Sequence, residues 1–268
     1  MPFVDIEDSR VEYQAEGSGP GLVLVHGAGR DAAGNWGTLG ARLASVRTVI
    51  RPNYSGSGAT IDHGGPLTLE RLGRQVTASA WAVGAAPFDL VGFGLGAGIA
   101  AYIAATIPDL VRSLVLIAGF ADANDSALRL QLRFRRDLAV SHPEILARHM
   151  LLCDHAPAFL SRLSDVDIEH RAAAMAASID PAGMVRQLNL ELGLDLHRVL
   201  AGVACRTLVV TCAHDQVVPP ARSHALAAAV PGARTTPLLT GHLAPVEQPA
   251  TLAALLETFM LEAHTEKA

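Results

Sequence analysis

Cysteines are few in this chain, and their placement predicts no chemistry for them. There are three, Cys153, Cys205 and Cys212, an odd number without the spacing of metal ligands. Scattered thiols of this kind are typical of reducing compartments, so we expect them to stay reduced in a cytoplasmic protein. We therefore predict neither a disulfide framework nor a metal site.

Long apolar runs and clusters of basic residues are missing as well. No stretch reaches the roughly 18 consecutive apolar residues of a membrane span. The N-terminal residues, MPFVDIEDSR, lack a basic region followed by an apolar one, so we expect no secretory signal. The net charge is −5 and no Lys/Arg cluster is present, which argues against nucleic acid as the main partner. We expect neither a membrane nor a nucleic acid as a partner.

Apolar residues, in contrast, are abundant and follow a regular pattern. They make up 50% of the 268 residues, while charged residues make up only 18%, as in one large α/β domain with a generous core. Short alternating runs at 3–6 and 11–14 predict an opening hairpin. Apolar runs then alternate with helical patterns, which predicts a mostly parallel central sheet flanked by helices. The predicted strands of that sheet are GLVLVHG, RTVIRP, FDLVGF, VRSLVLIAG, RTLVVTC and RTTPLL.

From residue 120 to residue 200 the alternation stops, and the pattern is helical throughout. We therefore predict a helical cap at 120–200, inserted into a core formed by 1–119 and 201–268. Leucine and methionine at helical spacing in this segment predict an apolar pocket beneath it. Its arginines at 133, 135 and 136 are of a type that recognises carboxylates, but arginines on the outer face of a cap are usually solvated.

The stretch VGFGLGAG at 91–98 lies between a predicted strand and a predicted helix, where many hydrolases carry a serine within G-x-S-x-G. Here the central residue is Gly94, which has no hydroxyl group. The same letters fit the dinucleotide fingerprint G-x-G-x-x-A through Gly92, Gly94 and Ala97. That interpretation needs an acidic residue at the end of the next strand, and SLVLIAGFA ends without one. A strand-to-helix turn at the nucleophile position of a hydrolase is the better interpretation.

Three further motifs follow in the order that such a hydrolase requires. HGAG at 26–29 ends an early strand, AHDQVVPP places Asp215 after a late strand, and GHLAP places His242 before the last helix. Together with VGFGLGAG and the helical insertion, this ordered set resembles the α/β-hydrolase superfamily over nearly the whole chain. The chain is most similar to the small cap-bearing lactonases, esterases and C–C bond hydrolases.

The resemblance implies a role for each motif residue. Gly94 occupies the nucleophile position, where an acyl-serine intermediate is chemically impossible, and His242 with Asp215 forms the base and acid pair. The implied oxyanion donors are the backbone N–H groups of Leu95 and of Gly27 or Ala28. His26, Trp36 and Tyr54 are implied as pocket residues, and no metal or organic cofactor is implied.

Three accounts of Gly94 remain open at this point. The protein is an enzyme in which His242 acts as a general base without a covalent step, a hydrolase whose serine was changed deliberately, or a relative that binds a small molecule without turnover. For an enzyme, the predicted substrate is a medium-sized apolar carbonyl compound such as an ester, lactone, thioester or polyketide-like ketone. No sequence feature indicates whether the protein is a monomer or an oligomer.

Overall fold

Eight strands form one sheet in the computed structural model, which describes residues 1–265. The strands are β1 (Phe3–Ile6), β2 (Ser9–Glu16), β3 (Gly21–Val25), β4 (Thr48–Asn53), β5 (Phe88–Phe93), β6 (Val111–Ile117), β7 (Arg206–Cys212) and β8 (Arg234–Leu238). Their order in the sheet is β1-β2-β4-β3-β5-β6-β7-β8. Strand β2 is antiparallel to β1 and to β4, and the remaining pairs are parallel. The predicted hairpin and mostly parallel sheet are confirmed.

Helices cover both faces of this sheet, which explains why the central strands are uninterrupted apolar runs. Every residue of β3 and of β5 is buried, as expected for strands with a helix layer on each side. The helices are α1 (Ala32–Leu43), α2 (Leu69–Ala82), α3 (Leu95–Thr106), α4 (Ser126–Ser141), α5 (Pro143–Asp154), α6 (Pro157–Leu160), α7 (Asp165–Ser178), α8 (Pro181–Leu192), α9 (His197–Leu200), α10 (Pro220–Ala229), α11 (Ala244–Glu247) and α12 (Pro249–Thr265). Helices α2, α3 and α10 pack on one face, and α1, α11 and α12 pack on the other. Among residues 1–265, no helix has the length and apolarity that crossing a bilayer requires.

Six of these helices, α4 to α9, follow one another between β6 and β7, and we call residues 118–205 the helical insertion. Within it, α4 packs against α8 and α5 packs against α7. Buried apolar residues of α4 and α8, such as Leu132 and Leu188, belong to the same core cluster as α3. The insertion is therefore packed onto the sheet domain through an apolar interface.

The turn from β5 into α3 is made by one residue. Gly94 has φ 54° and ψ −119°, a backbone conformation that strains any residue with a side chain. Two positions later, a Cβ atom on Gly96 would overlap the carbonyl oxygens of Val25 and His26. At this point α3 approaches β3 closely because residue 96 has no side chain.

Alanine at the two glycines should therefore have different effects on stability. Gly94→Ala meets only van der Waals contacts, so we expect it to fold and to lose about 1–3 kcal/mol of unfolding free energy through backbone strain. Gly96→Ala must displace the backbone of β3, and we expect a larger loss. Urea unfolding of the two variants beside the parent chain measures both values. Equal losses would show that the close contact of α3 with β3 is not a constraint.

Candidate active site

The predicted site residues lie on loops at the carboxyl ends of parallel strands. Ala28 follows β3, Gly94 follows β5, Asp215 follows β7 and His242 follows β8. Because these strands are parallel neighbours, their carboxyl ends meet at one edge of the sheet. The structure accordingly brings Gly94, Asp215 and His242 together.

His242 and Asp215 form a buried hydrogen-bonded pair. Nδ1 of His242 lies 2.7 Å from Oδ2 of Asp215, and the other carboxylate oxygen accepts the N–H groups of Val217 and Val218, each at 2.8 Å. An ionised carboxylate only accepts hydrogen bonds, so Nδ1 carries the proton. Nε2 is then the ring nitrogen that is left as a hydrogen-bond acceptor.

Nε2 of His242 is directed at the space beside Gly94. The position of a Cβ atom on Gly94 lies 3.7 Å from Nε2 and 3.6 Å from the Cα atom of Gly27. Among the described residues outside the adjacent chain, no third heavy atom comes within 4 Å of that position. A serine hydroxyl or a water molecule fits there within hydrogen-bond reach of the histidine.

Two residues beside this space have backbone N–H groups without a partner among the described residues. Ala28 and Leu95 line the cavity beside Gly94, and in the described part of the chain neither N–H donates to another protein group. Gly27 was also predicted as a donor, but its N–H is already used, because it donates to Oδ1 of Asn35 at 2.9 Å. The structure thus excludes Gly27 from the predicted donor set and leaves Ala28 and Leu95.

His26, Trp36 and Tyr54 were predicted as pocket residues, but the structure places all three in the core, behind the cavity wall. The rings of His26 and Tyr54 stack with centroids 4.0 Å apart, and the Tyr54 hydroxyl donates to the His26 carbonyl oxygen at 2.9 Å. Burial lowers the pKa of His26 to about 4. Trp36 packs edge-on against Phe93 in the opposite core. None of the three lines the cavity, and only His26 and Tyr54 pack beside the loop after β3.

The cavity itself is small: its volume is about 30 Å³, enough to hold one or two water molecules. Its wall is mostly apolar and comes from both the sheet domain and the helical insertion. The apolar residues are Ala28, Phe93, Leu95, Phe120, Leu132, Met184, Leu188, Val217 and Val218.

Charged residues form a hydrogen-bonded cluster at one side of the cavity, in which one carboxylate pairs with two guanidinium groups. Asp154 accepts hydrogen bonds from Arg135 at 2.6 Å and from Arg30 at 2.9 Å. Burial alone would raise the pKa of Asp154, but the two guanidinium groups hold it well below its usual range. Arg135 is buried, contrary to the expectation of a solvated cap arginine, because it neutralises this carboxylate. Within the described part of the chain, no group of His, Cys, Asp and Glu is arranged to hold a metal ion.

The helical insertion also holds the loop that carries His242. The N–H of Leu243 donates to the carbonyl oxygen of Asp154 at 2.8 Å. Oε1 of Glu247 accepts the N–H groups of Ala156 and Gly241, at 2.8 Å and 3.1 Å. Residues on both sides of His242 are therefore attached to the end of α5.

A second attachment joins α8 to the loop after β3. Oε1 of Gln187 accepts the N–H of Gly29 at 2.8 Å, and Nε2 donates to Oγ of Ser57 at 2.9 Å. Both groups of this fully buried amide are thus used. The helix that lines the cavity is fixed directly to the loop that carries Ala28.

Glu191 is a cavity residue that the sequence analysis missed. It is buried in α8 and lines the cavity together with Gly94 and His242. Helical spacing places Glu191 on the same face of α8 as Met184 and Leu188. A single carboxyl group in this otherwise apolar stripe was the sequence feature that could have indicated a cavity residue. Burial raises the pKa of Glu191 to about 7, against the opposing effects of His242 and Arg135.

Comparison with known proteins gives one consistent family. The sequence profile of the alpha/beta hydrolase family matches residues 22–255. Over 261 residues the chain is 39% identical to the pyrrolizixenacetamide deacetylase of Xenorhabdus hominickii, covering 97% of this chain and 98% of the relative. It is 31% identical over 247 residues to the pimeloyl-(acyl-carrier protein) methyl ester esterase of Xanthomonas campestris pv. campestris, covering 85% and 90%. The structure is similar to that of a hydrolase from Pseudomonas aeruginosa PA01, with a TM-score of 0.85, 26% identity and 97% of each chain covered.

The raised pKa of Glu191 predicts a pH-dependent effect on stability. Between about pH 4.5 and 7 the folded chain keeps a proton on Glu191 that the unfolded chain releases. The stabilisation is thus complete at low pH and is lost as the pH rises through 7. Glu191→Gln should be more stable than the parent at pH about 8, by up to about 3 kcal/mol, with the difference closing toward pH about 4.5.

Urea unfolding across this pH range measures the difference. Glu169→Gln is the matched control, because this exposed glutamate pairs with Arg148 and lines no part of the cavity. It should show no gain at high pH. A pH-independent difference between Glu191→Gln and the parent would contradict the raised pKa.

Proposed function

The chain belongs to the alpha/beta hydrolase family, and from that premise we propose that it hydrolyses a small acyl compound by direct attack of water. The observation that supports this most strongly is the position of Nε2 of His242, 3.7 Å from the Cβ position at Gly94. In a serine hydrolase the nucleophilic hydroxyl occupies the space between these atoms. Here a water molecule takes the place of the hydroxyl.

His242 is proposed as the general base. Its Nδ1–H donates to Asp215 at 2.7 Å, which fixes the tautomer and stabilises the imidazolium that forms when Nε2 accepts a proton. The water oxygen attacks the carbonyl carbon while its proton moves to Nε2. No covalent enzyme intermediate is formed, because Gly94 has no side chain.

The negative charge that develops on the carbonyl oxygen is proposed to be stabilised by the N–H groups of Ala28 and Leu95. Both line the cavity next to Gly94, and Leu95 is the first residue of α3, where the helix dipole favours a negative charge. Collapse of the tetrahedral intermediate breaks the bond between the acyl carbon and the leaving atom. The products are a carboxylic acid and the protonated leaving group, so one water molecule is consumed per turnover.

For the substrate we propose a small apolar ester or amide. The cavity is small and mostly apolar, and the relatives are named for a deacetylase and a methyl ester esterase. Both names describe cleavage of a bond from an acyl carbon to nitrogen or oxygen. We also propose that the helical insertion acts as a lid, since α4 and α8 supply Leu132, Met184 and Leu188 to the cavity wall.

Replacing His242 should abolish hydrolysis and leave the fold intact. We expect His242→Ala to lower kcat/KM for p-nitrophenyl acetate and for N-acetyl amides by about 10²- to 10⁴-fold, the usual contribution of a general base. His224→Ala is the matched control, because His224 is exposed on α10. Its activity should equal that of the parent.

Restoring a serine separates the direct attack of water from a covalent route. Gly94→Ser should form an acyl-enzyme that intact-protein mass spectrometry detects after rapid quenching, while the parent forms none. An acyl adduct on the parent would reveal a different nucleophile. If only Gly94→Ser turned over, the native chain would be a binding protein with an intact base and oxyanion hole.

A further inference from the structure

Glu191 differs from Asp154, the other acidic residue that lines the cavity, in having no hydrogen-bond partner among the described residues. Its side chain is buried and lines the wall that Gly94 and His242 share, yet within the described residues it forms no hydrogen bond or ion pair. Asp154, the other carboxylate in the wall, binds two arginines. A buried carboxyl group without a partner is costly to ionise. Such a group retains its proton and presents a hydrogen-bond donor to whatever occupies the cavity.

The proposed reaction requires a proton donor when the leaving group is an amine. When water attacks an amide, the C–N bond breaks readily only if the nitrogen receives a proton. An ester of p-nitrophenol has no such requirement, because p-nitrophenolate leaves as a stable anion. His242 accepts the proton of the attacking water, so a second group can act as the acid at the same time.

We propose that Glu191 is the general acid of this site, and that the substrate is therefore an amide. This inference rests on the proposed hydrolytic function. The water oxygen bonds to the acyl carbon, and its proton goes to Nε2 of His242. The C–N bond then breaks as the Glu191 carboxyl group gives its proton to the nitrogen. The proton on His242 afterwards returns through solvent to Glu191, which restores both groups.

The surroundings of Glu191 set the pH range in which it acts. His242 on the loop before α11 and Arg135 on α4 favour its ionised form, while burial opposes it and raises the pKa to about 7. Burial and then the charge of Glu191 raise the pKa of Tyr54 in the core. Asp154 pairs with both Arg30 and Arg135, so it neutralises only one of their two positive charges. Amide hydrolysis should therefore decline above about pH 7, as Glu191 loses its proton.

The test compares two acetyl donors that differ in the leaving group, N-butylacetamide and p-nitrophenyl acetate. Glu191→Gln should lower kcat for the amide by about 100-fold or more, the effect expected from loss of a general acid. The same variant should change kcat for p-nitrophenyl acetate by less than about threefold, and the decline of amide hydrolysis at high pH should disappear. Glu191→Asp should keep part of the amide activity together with that decline. Glu169→Gln, on the exposed face of α7, is the matched control and should behave as the parent.

Several outcomes would overturn the inference. Equal losses on both donors would indicate a structural role, and a rise in KM for the amide at constant kcat would indicate that Glu191 only binds substrate. Hydrolysis of the ester but not of the amide by the parent would contradict the acid role and leave the proposed hydrolase function standing. If the parent hydrolysed neither donor, the proposed function would fail, and the role of Glu191 would fail with it.

Discussion

Between Phe93 and Leu95 the backbone changes from a buried strand to a helix within one residue, and every group of the candidate site is positioned relative to that turn. The N–H of Gly94 donates to the carbonyl oxygen of Ile117 at 3.0 Å, and its own carbonyl oxygen accepts the N–H of Ala97 at 3.0 Å. These bonds fix the turn to β6 and start α3. Leu95, the first residue of that helix, therefore lines the cavity beside the space that faces His242. Glycine holds this conformation without strain, so the site geometry is kept although the nucleophile is absent.

The helical insertion holds in place the loops that leave the edge of the sheet. Gln187 fixes α8 to the loop that presents Ala28, and the end of α5 fixes the loop that presents His242. The insertion also supplies Asp154, at the end of α5, and Arg135, on α4, which form an ion pair inside the cavity wall. A buried charge is tolerated only with such a partner, and Glu191 is tolerated because it can stay neutral. Removal of the insertion would thus expose the cavity, and the loop that carries His242 would lose its hydrogen bonds to the end of α5.

The proposed reaction acts on a carbonyl compound without a covalent step and uses only groups that are present beside Gly94. In that reaction the base oriented by Asp215 acts on the attacking water, and the N–H groups of Ala28 and Leu95 act on the developing oxyanion. A serine at residue 94 would add a nucleophile, but it would also fill the space that a water molecule needs. In the proposed reaction the site activates water, and Glu191 on α8 protonates the leaving group.

The sequence by itself determined the fold and the order of the loops that carry the candidate site residues. Uninterrupted apolar runs specify buried parallel strands, and HGAG, VGFGLGAG, Asp215 and His242 follow those strands in an order that their carboxyl ends bring together. Local pattern could not decide which side chains face the cavity. Tyr54 and His26 stack on each other in the core, Gly27 donates its N–H to Asn35, and Arg135 is buried against Asp154. Glu191 became part of the site only because α8 packs over Gly94. Each of these outcomes depends on contacts between segments far apart in the chain, and such contacts exist only once the tertiary structure has formed.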